Sequence, residues 1–354
     1  MKKISTQKIS QSTVLFTIAG LIFFFGCILL YFFIMGTSAP KKGVIVSLGD
    51  AHNTQEGDGC PWRNSLTGVC LAEEKQQHIS AVMIENHIDA RPLSGLEKAS
   101  VVYEAPVEGN ITRFLALFEG DTDVDQIGPV RSARPYYLDW ISEYDGALYG
   151  HVGGSPEALI DIENYQIFDL NEFYRGWFFW RSQSRFAPHN AYTSSDLLKK
   201  AWEQYGGETE TIIESWVFEK NSVSSTTECL EDCAQSLEIT YSSPYYKPIW
   251  EYQKDQNTYE RTEKGNSETF VADTLIVESV QAQVIDDVGR LKIETIGQGD
   301  VLIFQNGKVI EGTWKKTGRK ERTRFFDAQD KEIALHPGKI WITIVPQTSD
   351  IEFE

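Results

Sequence analysis

An uncharged run of 23 residues, 13–35 (TVLFTIAGLIFFFGCILLYFFIM), constrains this chain more than any other feature. At ~1.5 Å of helical rise per residue it crosses the ~30 Å hydrocarbon core of a bilayer. A cleaved signal peptide is the first alternative, but its apolar region usually spans only ~7–15 residues, and Thr37-Ser38-Ala39 is a weak cleavage signal. A lipoprotein box ending at Cys27 is the second. Phe25-Gly26-Cys27 fits its last positions, yet the run stays apolar through Phe33, where a lipoprotein turns polar. The sequence therefore predicts a cytoplasmic tail over 1–12, a single transmembrane helix over 13–35 and a tether with one stapled loop over 36–77. Lys2, Lys3 and Lys8 before the run, against Lys41 and Lys42 after it, give a small positive-inside bias that places the remainder outside the cytoplasm.

Cysteines bear on the same question. Those outside the run form two local pairs, Cys60/Cys70 and Cys229/Cys233, which suit disulfides in an oxidising space. Zinc is the alternative for Cys229-x-x-x-Cys233. However, Cys60 and Cys70 are too widely spaced for a zinc knuckle, and Glu228, Glu231 and Asp232 crowd the second pair. Charge narrows the partners. With 33 Lys+Arg against 51 Asp+Glu, a net of −18, the chain lacks the basic footprint of a nucleic-acid binder. A hydrophobic content of 41 % supports packed cores.

Apolar patterning predicts an α/β unit over 78–207. Strands are expected at 79–84, 99–103, 112–118 and 147–151, with a helical turn or two over 93–99. Helices are expected at 136–144, at 156–164 behind the cap Ser155 with Pro156 first, and from Ser194 or Ser195 to 205. Residues 208–236 read as a linker carrying a cysteine pair. Residues 237–348 read as a β-rich unit, with Asn306-Gly307 between VLIFQ and KVIEGTW signalling a type I′ hairpin. The fold class expected is mixed α/β: a strand-helix unit, then a β-rich unit, after one transmembrane helix.

Several long motifs in order carry a family resemblance: IENHIDARPLSGLEKASVVYEAPVEGNITRFLALF, IGPVRSARPYYLDW and HVGGSPEAL, then LIFQNGKVIEGTWKK and TRFFDAQDKEIALHPGKIWITIVP. Over about residues 79–346 the chain resembles the YerB-like family of bacterial extracytoplasmic proteins, many of them lipid-anchored. The resemblance implies a bacterial surface protein with a mixed α/β fold. It supplies no reaction, since that family is of unknown function.

Candidate chemistry concentrates in a polar set over 85–151: Glu85, Asn86, His87, Arg91, Glu104, Glu108, Arg113, Arg131, Arg134 and His151. Most follow apolar strands, where α/β folds place ligands. Internal ion pairs such as Glu104/Arg113 and Glu108/Arg134 are the alternative use of the same charges. In Gly128-Pro129-Val130-Arg131-Ser132-Ala133-Arg134, two guanidinium forks stand three apart at a helix entrance with Ser132 as a cap, a pattern suited to an anion. Arg91, Arg113, Asn86, Glu85, His189 and Asn190 complete the expected ligand-binding set. An enzymatic alternative, an envelope hydrolase or transferase, uses His151 as base with Glu104 or Glu108. No cofactor is expected, nor a metal, since the six histidines form no HxxxH or HExxH. Ser155 fits an N-cap better than a nucleophile, lacking the Gly-x-Ser-x-Gly spacing. The WFFW run at 177–180 reads as core, the commoner use, or as an interface, and eight basic residues over 308–331 as a solvated hairpin or an anion-facing patch.

The function expected is a membrane-anchored, extracytoplasmic binding or scaffolding module. Its partner would be an anionic wall polymer, a lipid-linked group or an envelope protein.

Overall fold

All seven residues of Ile79–Glu85 are buried, as befits a strand inside a sheet covered on both faces. The computed structural model describes residues 60–75, 78–206, 210–220 and 233–354. The expected tail, transmembrane helix and most of the tether lie outside the described residues, as does Cys229. No helix among the described residues is long and apolar enough to cross a membrane.

The first half supplies strands β1 (Ile79–Glu85), β2 (Val101–Pro106), β3 (Thr112–Glu119), β4 (Leu148–His151) and β5 (Phe168–Asn171). It also supplies helices α1 (Pro135–Ile141), α2 (Pro156–Asn164) and α3 (Ser195–Tyr205). The second half gives β6 (Ser236–Thr240), β7 (Ile249–Gln253), β8 (Thr258–Thr262), β9 (Phe270–Ala272) and β10 (Thr274–Val280). Then come β11 (Gly297–Gln305), β12 (Lys308–Lys316), β13 (Arg324–Phe326), β14 (Ile340–Pro346) and β15 (Asp350–Phe353). The two halves share one ten-stranded sheet, ordered β13-β12-β11-β10-β14-β2-β3-β1-β4-β5. The junction is parallel, with Ile340 of β14 opposite Val101 and Thr343 opposite Glu104 of β2. A five-stranded sheet, β9-β8-β7-β6-β15, forms a further layer.

Side chains alternate across the large sheet. Ala81, Met83, Tyr103, Leu115 and Ile342 face one way, onto Tyr136, Tyr137 and Trp140 of α1. Val82, Ile84, Val102, Phe114 and Trp341 face the other, onto α3 and onto Leu237, Trp250 and Tyr259 of the smaller sheet. The molecule is thus mixed α/β and strand-rich, with three α-helices among the described residues.

Local grammar is followed closely in places. Ser155 accepts from the Ala158 amide and Ser194 from the Leu197 amide, capping α2 and α3. Asn306 and Gly307 have φ of +56° and +69°, as a type I′ turn requires. Elsewhere the structure departs from expectation. Residues 93–99 hold one short 3₁₀ turn, Leu96–Lys98. Ser132 does not cap α1; Arg134 occupies that position without a side-chain cap bond. The expected Cys60–Cys70 disulfide does form, and the loop it staples within the tether, residues 60–71, is a small hairpin with Leu66 in the core. Cys233 is also disulfide-bonded.

Candidate functional site

Strands β1, β4 and β5 run parallel, Ser80 opposite Leu148 and Leu148 opposite Phe168, so they finish side by side at Glu85, His151 and Asn171. Antiparallel β3 begins among them, placing Arg113 opposite both Glu85 and Ala105. The segment 128–134 runs across these ends: the Glu85 amide donates to Pro129 O, Arg131 to Met83 O and Val152 to Arg131 O. Tyr137 Oη donates to the carbonyls of Ala105 and Arg113, and Tyr136 Oη to that of Pro106, which pins α1 beside them. Open α/β sheets gather ligands at such strand ends.

The predicted residues separate into two groups, one on each side of the sheet. On the α1 side, Arg131 Nε donates to Glu85 Oε1 at 2.9 Å, and His189 Nδ1 lies 2.8 Å from Glu85 Oε2. Arg134 grips Glu108 with two bonds of 2.7 and 2.9 Å. Burial pushes the Glu108 carboxyl up, but Arg134 outweighs it and holds the group below the usual range; Arg134 is raised in return. Arg113 differs from both. Its Nη1 donates to Ser132 O at 2.6 Å, and no carboxylate among the described residues pairs with it. Burial, reinforced by Arg134, pushes its guanidinium down to about 10, so it remains a cation at neutral pH. Arg131 uses only Nε, leaving both Nη groups without a bond among the described residues.

On the opposite face lies a sealed network. Arg261 Nη2 reaches Glu104 Oε1 at 2.9 Å, and Glu263 Oε2 lies 3.2 Å from Arg261 and 2.9 Å from Arg91. Asn86 bridges Thr112, Glu263 and Arg91, while Trp341 Nε1 donates to Glu104 Oε2. Burial raises Glu104 although Arg261 pulls it down. Two guanidiniums meet two carboxylates, and the set is internally neutral. The expected Glu104/Arg113 pair does not form because Glu104 shares a face with Phe114, its partner in register, while Arg113 shares the other face with Ala105. The Glu108/Arg134 pair does form.

His151 is fully buried and stacked on Tyr149. Its Nδ1 contacts Gly153 O at 2.7 Å, an atom that only accepts, and its Nε2 contacts Asp169 Oδ1 at 2.6 Å. With both nitrogens engaged, it offers no free lone pair to a substrate. No hydrogen bond or ion pair joins His151 to Glu104 or Glu108. Asn190 Oδ1 accepts from Arg181, one residue from His189. Phe178 and Phe179 are core, but Trp177 is 60 % exposed. The basic run is largely used internally: Lys316 and Arg322 surround buried Glu143, Lys315 meets Asp330, Lys320 meets Asp145, and Arg324 meets Glu214 and Glu332.

Sequence reasoning missed Arg261, Glu263 and Asp169. Arg261 lies 157 residues from Glu104, and a charged residue at an inward strand position hides the alternation that would have exposed it. Asp169 sits on β5, a four-residue strand too short to signal itself.

Residues 66–208 match the N-terminal domain, and 237–342 the C-terminal domain, of a family described as protein of unknown function (DUF3048). "Putative lipoprotein YerB" of Bacillus subtilis (strain 168) is 33 % identical over 294 residues, covering 79 % of this chain and 85 % of that protein. The crystal structure of the YerB protein from Bacillus subtilis is similar, with a TM-score of 0.71 at 31 % identity, over 82 % of this chain and 99 % of that one.

Proposed function

Since the chain belongs to the DUF3048 family of proteins of unknown function, we propose that it is a membrane-anchored, extracytoplasmic module that binds an anionic group at the Arg113–Arg131–Arg134 cluster. The observation that carries this reading is Arg113, a buried cation with no carboxylate partner among the described residues. Around it three guanidiniums meet two carboxylates, Glu85 and Glu108. A buried charge without a partner is costly. A phosphate or carboxylate from outside would balance it, and the free Nη groups of Arg131 have the fork geometry that such oxyanions accept.

An extracytoplasmic address is supported by the Cys60–Cys70 bridge and by bonded Cys233. Anchoring is supported by the uncharged run at 13–35 and by the word lipoprotein in the name of the Bacillus subtilis relative. On this reading the run spans the membrane once.

The test is a titration of the purified full chain with glycerol phosphate and with a polyglycerol phosphate, followed by calorimetry, comparing wild type with Arg131→Ala. A lost charge-assisted contact costs ~1.5–3 kcal/mol, so the variant should bind roughly ten- to a hundredfold more weakly. Equal binding by both proteins, or no saturable binding by wild type, sinks the proposal.

A further inference from the structure

The donors on the far side of Glu85 carry an inference independent of the anion reading. We propose that His87, Asp89 and His189 bind a divalent transition-metal cation of the zinc class. The ligand atoms of these three residues all lie within 4.8 Å of one another. Two imidazole nitrogens and one carboxylate oxygen are a donor set that zinc accepts at ~2.0–2.2 Å, with a further position left for water or a ligand.

Three features favour a site over a chance meeting of polar groups. First, His189 is oriented as a ligand. Glu85 Oε2 holds its Nδ1 at 2.8 Å, and Arg131 holds the other oxygen of the same carboxylate at 2.9 Å. A carboxylate on one imidazole nitrogen keeps the proton there and leaves Nε2 with a free lone pair, the arrangement by which metal-binding histidines are commonly set. Secondly, the two histidines come from segments 102 residues apart that are pinned together. Arg185, four residues before His189, donates to the carbonyls of Ala90 and Pro92, immediately after Asp89. The His87 and His189 rings consequently stack, with centroids 4.8 Å apart and planes 19° apart. Thirdly, the side chains that must adjust are those free to do so. Stacked rings cannot aim both lone pairs at one ion, so one ring has to turn. Apart from its stack on His189, the hydrogen bond to the His87 ring among the described residues is a 3.2 Å one from the Asp89 amide to Nδ1, its side chain is one-third exposed, and Asp89 Oδ2 lies 3.6 Å from that nitrogen. A modest rotation of His87 and a rotamer change of exposed Asp89 bring the set around one ion.

Borderline nitrogen donors select zinc over magnesium and calcium, which prefer oxygen cages. The full chain, stripped with chelator and with its disulfides intact, is titrated with Zn²⁺ and separately with Mg²⁺ by calorimetry, and its metal content after dialysis is measured. Wild type should take up one Zn²⁺ per chain and no Mg²⁺ at comparable concentration. His189→Ala and Asp89→Ala should each weaken Zn²⁺ binding at least tenfold. Glu85→Gln, which keeps the shape but weakens the hold on Nδ1, should cost ten- to a hundredfold. His87 and Asp89 are at the surface, so Asp89→Ala should melt like wild type in chelator, separating lost ligation from lost folding. No saturable Zn²⁺ uptake by wild type, or undiminished stoichiometric binding by both His189→Ala and Asp89→Ala, overturns the assignment.

Discussion

Replacing Arg261 by Met removes the central cation of the sealed network while keeping much of its volume. Arg261 is essentially unexposed, and its guanidinium contacts both Glu104 and Glu263 while lying 5.3 Å from the Trp341 ring centroid. Glu263 keeps Arg91 and Asn86, but Glu104 is left with the Trp341 indole at 3.1 Å and the Thr112 hydroxyl. Breaking one partner out of a buried pair costs ~3–5 kcal/mol, because the other charge stays desolvated. At roughly 2–4 °C per kcal/mol for a domain of a few hundred residues, the melting temperature should fall by about 6–20 °C. The loss should also depend on pH. Burial already lifts the Glu104 carboxyl, and removing Arg261 lifts it further. A carboxyl whose folded value exceeds its unfolded one binds more protons when folded, so its stabilising effect is full below the unfolded value and lost as pH rises through the folded value. Arg261→Met should therefore be nearest wild type in acid and furthest from it in mild alkali. Urea and thermal melts at pH 5 and pH 8 measure this, with Glu104→Gln and the double variant completing a cycle. The double variant should lose well under the sum of the singles. A loss below ~1 kcal/mol, a pH-independent loss or simple additivity would each refute a tightly coupled network.

Two further outcomes follow from buried groups and from the hairpin. Replacing Cys60 and Cys70 by Ser opens a loop with a sequence separation of 10, for which loop entropy gives about 2.8 kcal/mol; thermal melts in the presence and absence of reductant check it, and a variant as stable as oxidised wild type contradicts it. Glu278, buried on β10 with Oε1 lacking a partner, is pushed up to about 8 by burial and by nearby Glu143. Its proton stabilises the fold below the ordinary carboxylate range and is lost as pH rises through about 8; melts across pH 5–9 should show that decline in wild type and a flatter profile in Glu278→Gln, and identical slopes exclude it.

The sequence announced those features whose causes are local. Six apolar or small residues, 79–84, mark β1, Ser155 and Pro156 start α2, and Asn306-Gly307 turns β11 into β12 because both residues accept positive φ. The Glu108–Arg134 pair was also legible. What stayed hidden depends on pleat parity and on contacts distant along the chain. Glu104 and Arg113 look like partners until the register puts them on opposite faces. TYERT at 258–262 turns Tyr259 and Arg261 inward, so its alternation mixes an aromatic with a charge and escapes an apolar pattern. The basic run looked like a surface patch, yet Lys316 and Arg322 are nearly unexposed around Glu143, a partner encoded more than 170 residues earlier. The joining of both halves in one sheet, through β14 beside β2, has no local signal at all.

Pleat parity also separates the sealed network from the proposed anion site. Glu85, Asn86 and His87 are consecutive at the end of β1, yet Asn86 joins the sealed network while Glu85 meets Arg131 and His189. In the sealed network two guanidiniums face two carboxylates. Such a set holds the small sheet against the large one with its charges balanced, Arg261 Nε and Glu263 Oε1 being its atoms without a hydrogen-bond partner among the described residues. On the α1 side Glu85 and Glu108 pair with Arg131 and Arg134, Asp169 is taken up by His151, and Arg113 pairs with no carboxylate among the described residues, while the Nη groups of Arg131 are left free of protein partners among them. A cation kept unpaired at the carboxyl ends of parallel strands costs stability unless something completes it. That asymmetry between two faces of one strand end is the physical reason to look for a ligand beside Arg113 and Arg131 and not beside Glu104.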